Sequence, residues 1–302
     1  MLRLHSPMSF HILHIFHHGA VLGKERGFIT CSVDRKEVGR IPHEDLRAVI
    51  IAARGVTLSS NFVSAVLETN GIILHCNESY QPCGITAPLA RVVDTKAYLN
   101  QIARPKPLNT RLWNRLLRGK TLNQSRVLER LEKPSPHLEF ALRTNDIHEG
   151  NCARRYWQLF FPSIGYISTR RDRKEDSAPN QMLNYGYTVL GALCHRSLLV
   201  HGLTPALGVF HGTRYRSQPL VYDLMEPFRP MVDMMLAEFM RAEDVSMKAW
   251  AKKVGTELRE TRVAHERYSL KMMDAIDASA SSMARSYAAL SVEPFWVPEV
   301  AA

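Results

Sequence analysis

The residues of this chain best suited to chemistry lie in the stretch Leu207 to Asp233. His211 sits in the Gly-flanked loop GVFHG, and Asp223 and Glu226 follow it in VYDLMEPF. Their i, i+3 spacing stacks two carboxylates on one face of a helix. An imidazole with carboxylates is a donor set for Mg²⁺ or Mn²⁺ that leaves coordination positions open for water and phosphate oxygens. Such a site suits phosphoryl transfer, where a divalent ion stabilises the attacking and the leaving oxygens. Pro227 reads as the opening turn of a helix, where its missing N–H costs nothing, and Glu226, Arg229, Pro230 and Asp233 then run down one side. Arg229 is placed to brace Glu226 or Asp223, to touch phosphate, or to form a plain helix-to-helix salt bridge.

Other polar residues fall on helical patterns that could face this site. In TNDIHEGNCARRYWQLFF, with Thr144, Asn145 or Asp146 as cap, Glu149 shares a stripe with Ala153, Tyr156 or Trp157, and Phe160. Glu149 is then either a first-turn glutamate favoured by the helix dipole or a metal ligand aimed at an apolar stripe. The apolar run QMLNYGYTVLGALCHRSLLVHGLTP encloses Asn184 and His195, and buried polar groups need partners. His195 reads as a satisfied core histidine. A long amphipathic helix, NTRLWNRLLRGKTLNQSRVLERL, carries Arg111, Arg115, Arg118, Lys120, Arg126 and Arg130. That basic face is either solvated or set against phosphate. Between these helices, STRRDRKEDSAPN is a charged loop with no apolar anchor.

The elements that must position these residues imply an α+β protein. Short β-type runs, FHILHIF, GFITCSV, LRAVIIAA and GIILHC, make residues 1–82 a small β-rich domain. One helix interrupts it: SSNFVSAVLETNG, capped by Ser59 or Ser60 and stopped at Asn70-Gly71. His11 and His14 fall on opposite faces of a strand and read as strand residues. QPCGITAPLAR, with its prolines and glycine, marks a linker over residues 83–92, and residues 93–302 read as a larger all-α domain. Beyond Asp233 the helical pattern runs through MMLAEFMRA and on from DVSMKAW to SYAAL, before a tail, SVEPFWVPEVAA, that docks or frays.

The net charge of +10 on 302 residues favours an anionic partner. Five cysteines without a CxxC pair indicate neither a disulfide framework nor a thiolate zinc site, and suit a reducing cytoplasm. No stretch approaches the ~20 apolar residues of a membrane span, so no membrane partner is expected.

The succession DIHEGNCARRYW, NQMLNYGY, GLTPALGVFH and LVYDLMEPFRPMVD resembles the CRISPR-associated protein 1 family, the endonuclease and integrase of spacer acquisition. It looks most like the members beside single-effector (type II) systems. IPHEDLRAVIIAARGVTLSSNFVSAVLETNGIILHC and LWNRLLRGKTLNQSRVL are similar to that family too, so the resemblance covers nearly the whole chain. It implies Glu149, His211 and Glu226 as catalytic residues and ligands of Mg²⁺ or Mn²⁺, Asp223 as a further acid close to the metal, and Asn184 with Tyr185 as a polar pair lining the site. It implies double-stranded DNA as substrate, with a 3′-hydroxyl of a short duplex attacking a phosphodiester of a repeat array. A homodimer through the β-rich domain, the CRISPR-associated protein 2 in a heterohexamer-like complex, and the effector nuclease of the same locus are the implied partners. Two other readings stay open: a non-enzymatic, basic DNA-bridging protein, and a metal-dependent nuclease that cuts branched DNA without joining it.

Overall fold

The computed structural model describes residues 12–77, 82–89, 94–172, 174–212, 218–265 and 268–300, and it divides into two compact units, Met1–Ala90 and Arg91–Ala302. The first unit contains β1 (Ile12–Ile15), β2 (Val21–Glu25), β3 (Phe28–Val33), β4 (Lys36–Pro42), β5 (Ala48–Ile51), β6 (Thr57–Leu58), α1 (Ser60–Glu68), β7 (Ile72–Cys76) and β8 (Pro82–Thr86). One sheet has the order β1-β5-β7-β8 and the other β4-β3-β2-β6. β5 is buried at all of its positions, as a strand paired parallel to β1 and β7 and covered on both faces should be.

The crossover from β5 to β7 runs through α1, whose limits are local chemistry. The Phe62 N–H donates to Ser59 Oγ at 3.1 Å, which caps the helix, and Asn70 turns left-handed at φ 56 to end it. Gly71 follows because a Cβ there would stand 2.8 Å from the Val66 carbonyl oxygen. Leu22, Ile29, Val49, Phe62, Val66 and Ile73 join the two sheets and α1 in one core. His14 lies in β1, and His11 lies outside the described residues.

The stretch expected as a linker supplies β8, which pairs antiparallel with β7. Pro82 is tolerated there because it is the first residue of an edge strand. Residues 90–92 of that expected linker lie outside the described residues.

The second unit is mostly helical: α2 (Thr95–Ala103), α3 (Lys106–Arg130), α4 (Pro136–Thr144), α5 (Glu149–Ser163), α6 (Ala178–Val200), α7 (Pro219–Met225), a 3₁₀ turn at Glu226–Phe228, α8 (Arg229–Phe239), α9 (Met247–Glu260) and α10 (Met272–Ala289). α3 and α6 carry the longest buried stripes, and α6 lies close against α8 because a Cβ on Gly186 would be 2.5 Å from Val232 Cγ1. The single helix start expected around DLMEPFRP is a broken rod instead. Pro227 and Pro230 cannot donate to the ladder, so α7 gives way to the 3₁₀ turn and then to α8, and Glu226 stands at the break.

One expectation, the start of α5, needs correction. The cap expected from Thr144, Asn145 or Asp146 does not form, because Thr144 ends α4 and Asn145 is that helix's left-handed stop at φ 56. The start of α5 falls to His148, which offers no side-chain capping bond. The C-terminal region is the larger helical part that the sequence implies, and it adds one small sheet: β9 (Arg262–His265), β10 (Tyr268–Lys271) and β11 (Glu299–Val300) lie in the order β10-β9-β11. In RVA only Val263 is buried, and a charged helix burying so little gives way to strands that share backbone bonds with the docked tail. Among the described residues no helix is long and apolar enough to cross a membrane.

Candidate active site

Within the helical unit, α3, α5, α6, α8 and the 3₁₀ turn surround one cavity of ≈ 250 Å³. α5 contributes Glu149, Ala153 and Trp157, successive i+4 positions on one face. α3 contributes Lys120 and Gln124, the break in the rod contributes Glu226 and Arg229, and His211 comes from the loop before α7. Glu149, His211 and Glu226 are thus brought to the same cavity by elements far apart in sequence.

Asp223 does not line the cavity; it is fully buried behind it. Its Oδ1 accepts the Nδ1–H of His211 at 2.6 Å and the backbone N–H of His211 at 3.2 Å. Its Oδ2 accepts the N–H groups of Val209 at 2.7 Å and Phe210 at 3.2 Å. A carboxylate accepts, so Nδ1 is the ring nitrogen turned to Asp223 and Nε2 is the one that can face a ligand. The loop is tight enough to require Gly208, since a Cβ there would stand 2.5 Å from the His211 carbonyl oxygen and 2.7 Å from Asp223 Oδ2. From below, Arg104 Nη2 donates to the Gly208 carbonyl at 3.1 Å and Trp113 stacks on Phe210 with ring centroids 4.2 Å apart.

The two glutamates meet across Lys120. Its Nζ lies 2.8 Å from Glu149 Oε1 and 2.7 Å from Glu226 Oε2, the first a hydrogen bond and the second at ion-pair distance without hydrogen-bond direction. On the other side of Glu226, Arg229 Nε approaches Oε1 at 3.0 Å, again off hydrogen-bond direction. Burial alone would raise the Glu226 pKa, but Arg229 and Lys120 more than reverse this and hold it at about 2. Lys120 responds in kind: burial favours the neutral amine, yet Glu226 and Glu149 keep it protonated above its usual range.

A second polar cluster backs the cavity. Asp233 Oδ2 accepts the Tyr156 hydroxyl at 2.9 Å and Oδ1 accepts that of Tyr187, and burial raises the Asp233 pKa to about 6 despite both bonds. The Arg229 guanidinium stacks over the Tyr187 ring, 4.7 Å from its centroid. Asn184 Oδ1 accepts from Arg171 Nη2 at 2.6 Å, and Arg171 also bonds Asn180, so the charged loop that lacks an apolar anchor is tied down by an arginine. Tyr185 is buried, and the tyrosine lining the cavity is Tyr187.

Sequence reasoning passed over Lys120, Arg171, Tyr187 and Asp233 as site residues. Lys120 was hidden within a basic run, although Arg115 donates to the Val292 and Phe295 carbonyls, Arg118 to that of Leu142, and Arg126 to that of Val300. Part of the basic face, which the sequence leaves either solvated or set against phosphate, therefore braces the fold. The signal that singles out Lys120 is packing: it is buried where its neighbours Arg118 and Arg111 are exposed.

Two carboxylates and an imidazole fixed through Nδ1 are donors of the kind a divalent ion takes, and Glu226 Oε2 is a buried oxygen without a well-directed hydrogen bond. Among the described residues, however, no three His, Cys, Asp or Glu side chains stand close enough to hold one ion, and Lys120 Nζ stands between the two acids.

A family model described as CRISPR associated protein Cas1 matches residues 13–266. A CRISPR-associated endonuclease Cas1 of Neisseria meningitidis is 30% identical over 198 residues, 64% of this chain and 64% of its own length. One of Pyrobaculum aerophilum is 29% identical over 247 residues, 75% of this chain and 81% of its own length. Among solved structures, a casposase bound to integration product superposes with a TM-score of 0.78 at 17% identity, over 96% of this chain and 94% of that one. A CAS1 protein from Thermotoga maritima gives 0.76 at 17% identity, over 91% and 96%. At these identities the structural likenesses establish the fold.

Proposed function

The chain belongs to the CRISPR-associated Cas1 family, and we propose that it is a divalent-metal-dependent DNA endonuclease and integrase that inserts short duplexes into a repeat array. The observation that carries this reading is the convergence of Glu149, His211 and Glu226 on one cavity, with Asp223 holding the imidazole by Nδ1. A Mg²⁺ or Mn²⁺ ion held by those three side chains would supply positive charge to the scissile phosphate and to the attacking and leaving oxygens. The protein's own residues do the rest. Asp223 fixes the ring and its tautomer, Arg229 holds Glu226 in its ionised form, and Arg171 and Lys120 make the cavity wall cationic, which suits a phosphate. Trp157 and Ala153 form an apolar flank that limits water around the charged groups.

A similar fold solved as a TtCas1-DNA complex supports DNA as substrate, and the integration product bound by the casposase supports joining over simple cutting. The Cas6-RT-Cas1–Cas2 complex among the similar folds supports the CRISPR-associated protein 2 as partner. A homodimer through the β-rich unit, a heterohexamer-like integration complex, contact with the effector nuclease of the locus, membership of the single-effector group and a cytoplasmic location complete the proposal.

The test supplies a short duplex with free 3′-hydroxyls, a supercoiled plasmid carrying a repeat array and Mn²⁺ or Mg²⁺, with and without the small partner. Covalent joining that EDTA abolishes is the expected result. Plasmid nicking without joined product would make the protein a nuclease, and DNA binding with no chemistry would leave a bridging protein.

A further inference from the structure

The position of Lys120 has a consequence for how the site takes up its ion. Glu149 opens α5 and Glu226 sits at the break between α7 and α8, so the two acids belong to elements that are not continuous. What joins them is a single ammonium, at 2.8 and 2.7 Å, on a residue that is buried. Oxygens around an ammonium stand near 2.8 Å, whereas a Mg²⁺ ion draws them to about 2.1 Å. An ammonium and a divalent ion therefore cannot occupy the space between the same two oxygens.

Both acids meet the ammonium at contact distance. Arg229 braces the other oxygen of Glu226, so that carboxylate stays in place if the ammonium leaves. A lysine suits a removable contact: its charge is compact and its four-carbon stem can turn aside, where an arginine fork would hold both acids rigidly.

Resting on the metal-site reading above, we propose that Lys120 is a displaceable internal cation. It keeps Glu149 and Glu226 together before metal arrives, and it withdraws when a divalent ion binds. Without it, two carboxylates would face each other in a buried site and repel. With it, metal binding becomes an exchange of one positive charge for two, and the released ammonium stays on the cavity wall. Lys120 is in this sense a positioning residue.

The experiment measures acylation of Lys120 in the full-length protein by a water-soluble N-hydroxysuccinimide acetate, read by peptide mass spectrometry with and without Mn²⁺. Mn²⁺ should speed modification of Lys120 several-fold in the wild-type protein and leave it unchanged in Glu226→Gln. In parallel, calorimetry should show Lys120→Met binding Mn²⁺ about tenfold or more tightly than wild type, because a competing charge at contact distance is gone. Lys120 remaining equally protected while Mn²⁺ is bound, or Mn²⁺ affinity falling in Lys120→Met, would overturn the proposal and make Lys120 a fixed strut. If Lys120→Met does not fold, acylation of the wild type decides alone. If wild-type protein binds Mn²⁺ no better than Glu226→Gln, the metal-site reading fails, and this inference with it.

Discussion

At the scale of single residues, Asp223 does more for the site than the groups lining it. It receives three backbone N–H groups and the imidazole Nδ1–H, so one buried carboxylate sets both the loop and the ring. Asp223→Asn replaces an acceptor oxygen with a donor that faces N–H groups. Metal affinity should fall roughly 10–100-fold, as for other partners that orient a ligand, while the far-UV circular dichroism stays that of the wild type. Mn²⁺ titration of the folded variant checks this, and unchanged affinity would show that the ring needs no such support. Asp233 permits a prediction with a definite sign. Its pKa is raised from 3.8 to about 6, so its contribution to stability is fully present below pH 3.8 and is lost as the pH rises through about 6. The upper bound on that loss is about 3 kcal/mol from a shift of roughly two units. Urea unfolding of the metal-free protein should show the wild type losing stability between pH 4 and 7 relative to Asp233→Asn. A constant difference across that range would contradict the assignment.

At the scale of elements, α3 is the scaffold. Besides Lys120 it carries Asn123, whose fully buried side chain donates to the Pro227 carbonyl at 2.8 Å and the Pro298 carbonyl at 3.0 Å and accepts the Val300 N–H at 2.8 Å. One amide thus ties the turn bearing Glu226 to the C-terminal tail. Gly119 lets that tail approach, since a Cβ there would stand 2.3 Å from Val297 Cγ1. Asn123→Ala strands three buried partners and should cost about 3 kcal/mol or more, read as a lower urea midpoint; a loss below ~0.5 kcal/mol would mean that water replaces the amide. This is also where the sequence was least informative. Ser59, Asn70 and Gly71 announced α1 because capping chemistry is local. The hairpin of β9 and β10 was not legible, because its stability comes from pairing with a tail more than thirty residues away along the chain. α4 was overlooked for a related reason: Thr144 and Asn145 are good start residues, and only the fold shows that they end a helix here.

At the scale of the whole molecule, a chain of the Cas1 family divides into a β-rich unit and a helical unit and carries a net charge of +10, which favours an anionic partner. The candidate site was readable in outline because its donors fall in short stretches with marked residue types, His211 between glycines and Glu226 before a proline. Lys120 was not readable as part of it. A lysine in a basic helix looks like surface, and only three-dimensional packing turns it inward onto two acids. The same packing sets a condition on the whole account, because Glu149, His211 and Glu226 lie in one cavity but not yet close enough to share an ion. The measurement that tests this most directly is electron paramagnetic resonance of free Mn²⁺ titrated with wild-type protein, Glu149→Gln, His211→Ala and Glu226→Gln. The account predicts one tightly held ion per wild-type chain and its loss in each variant. Equal Mn²⁺ uptake by the wild type and all three variants would show that these residues do not form a metal centre.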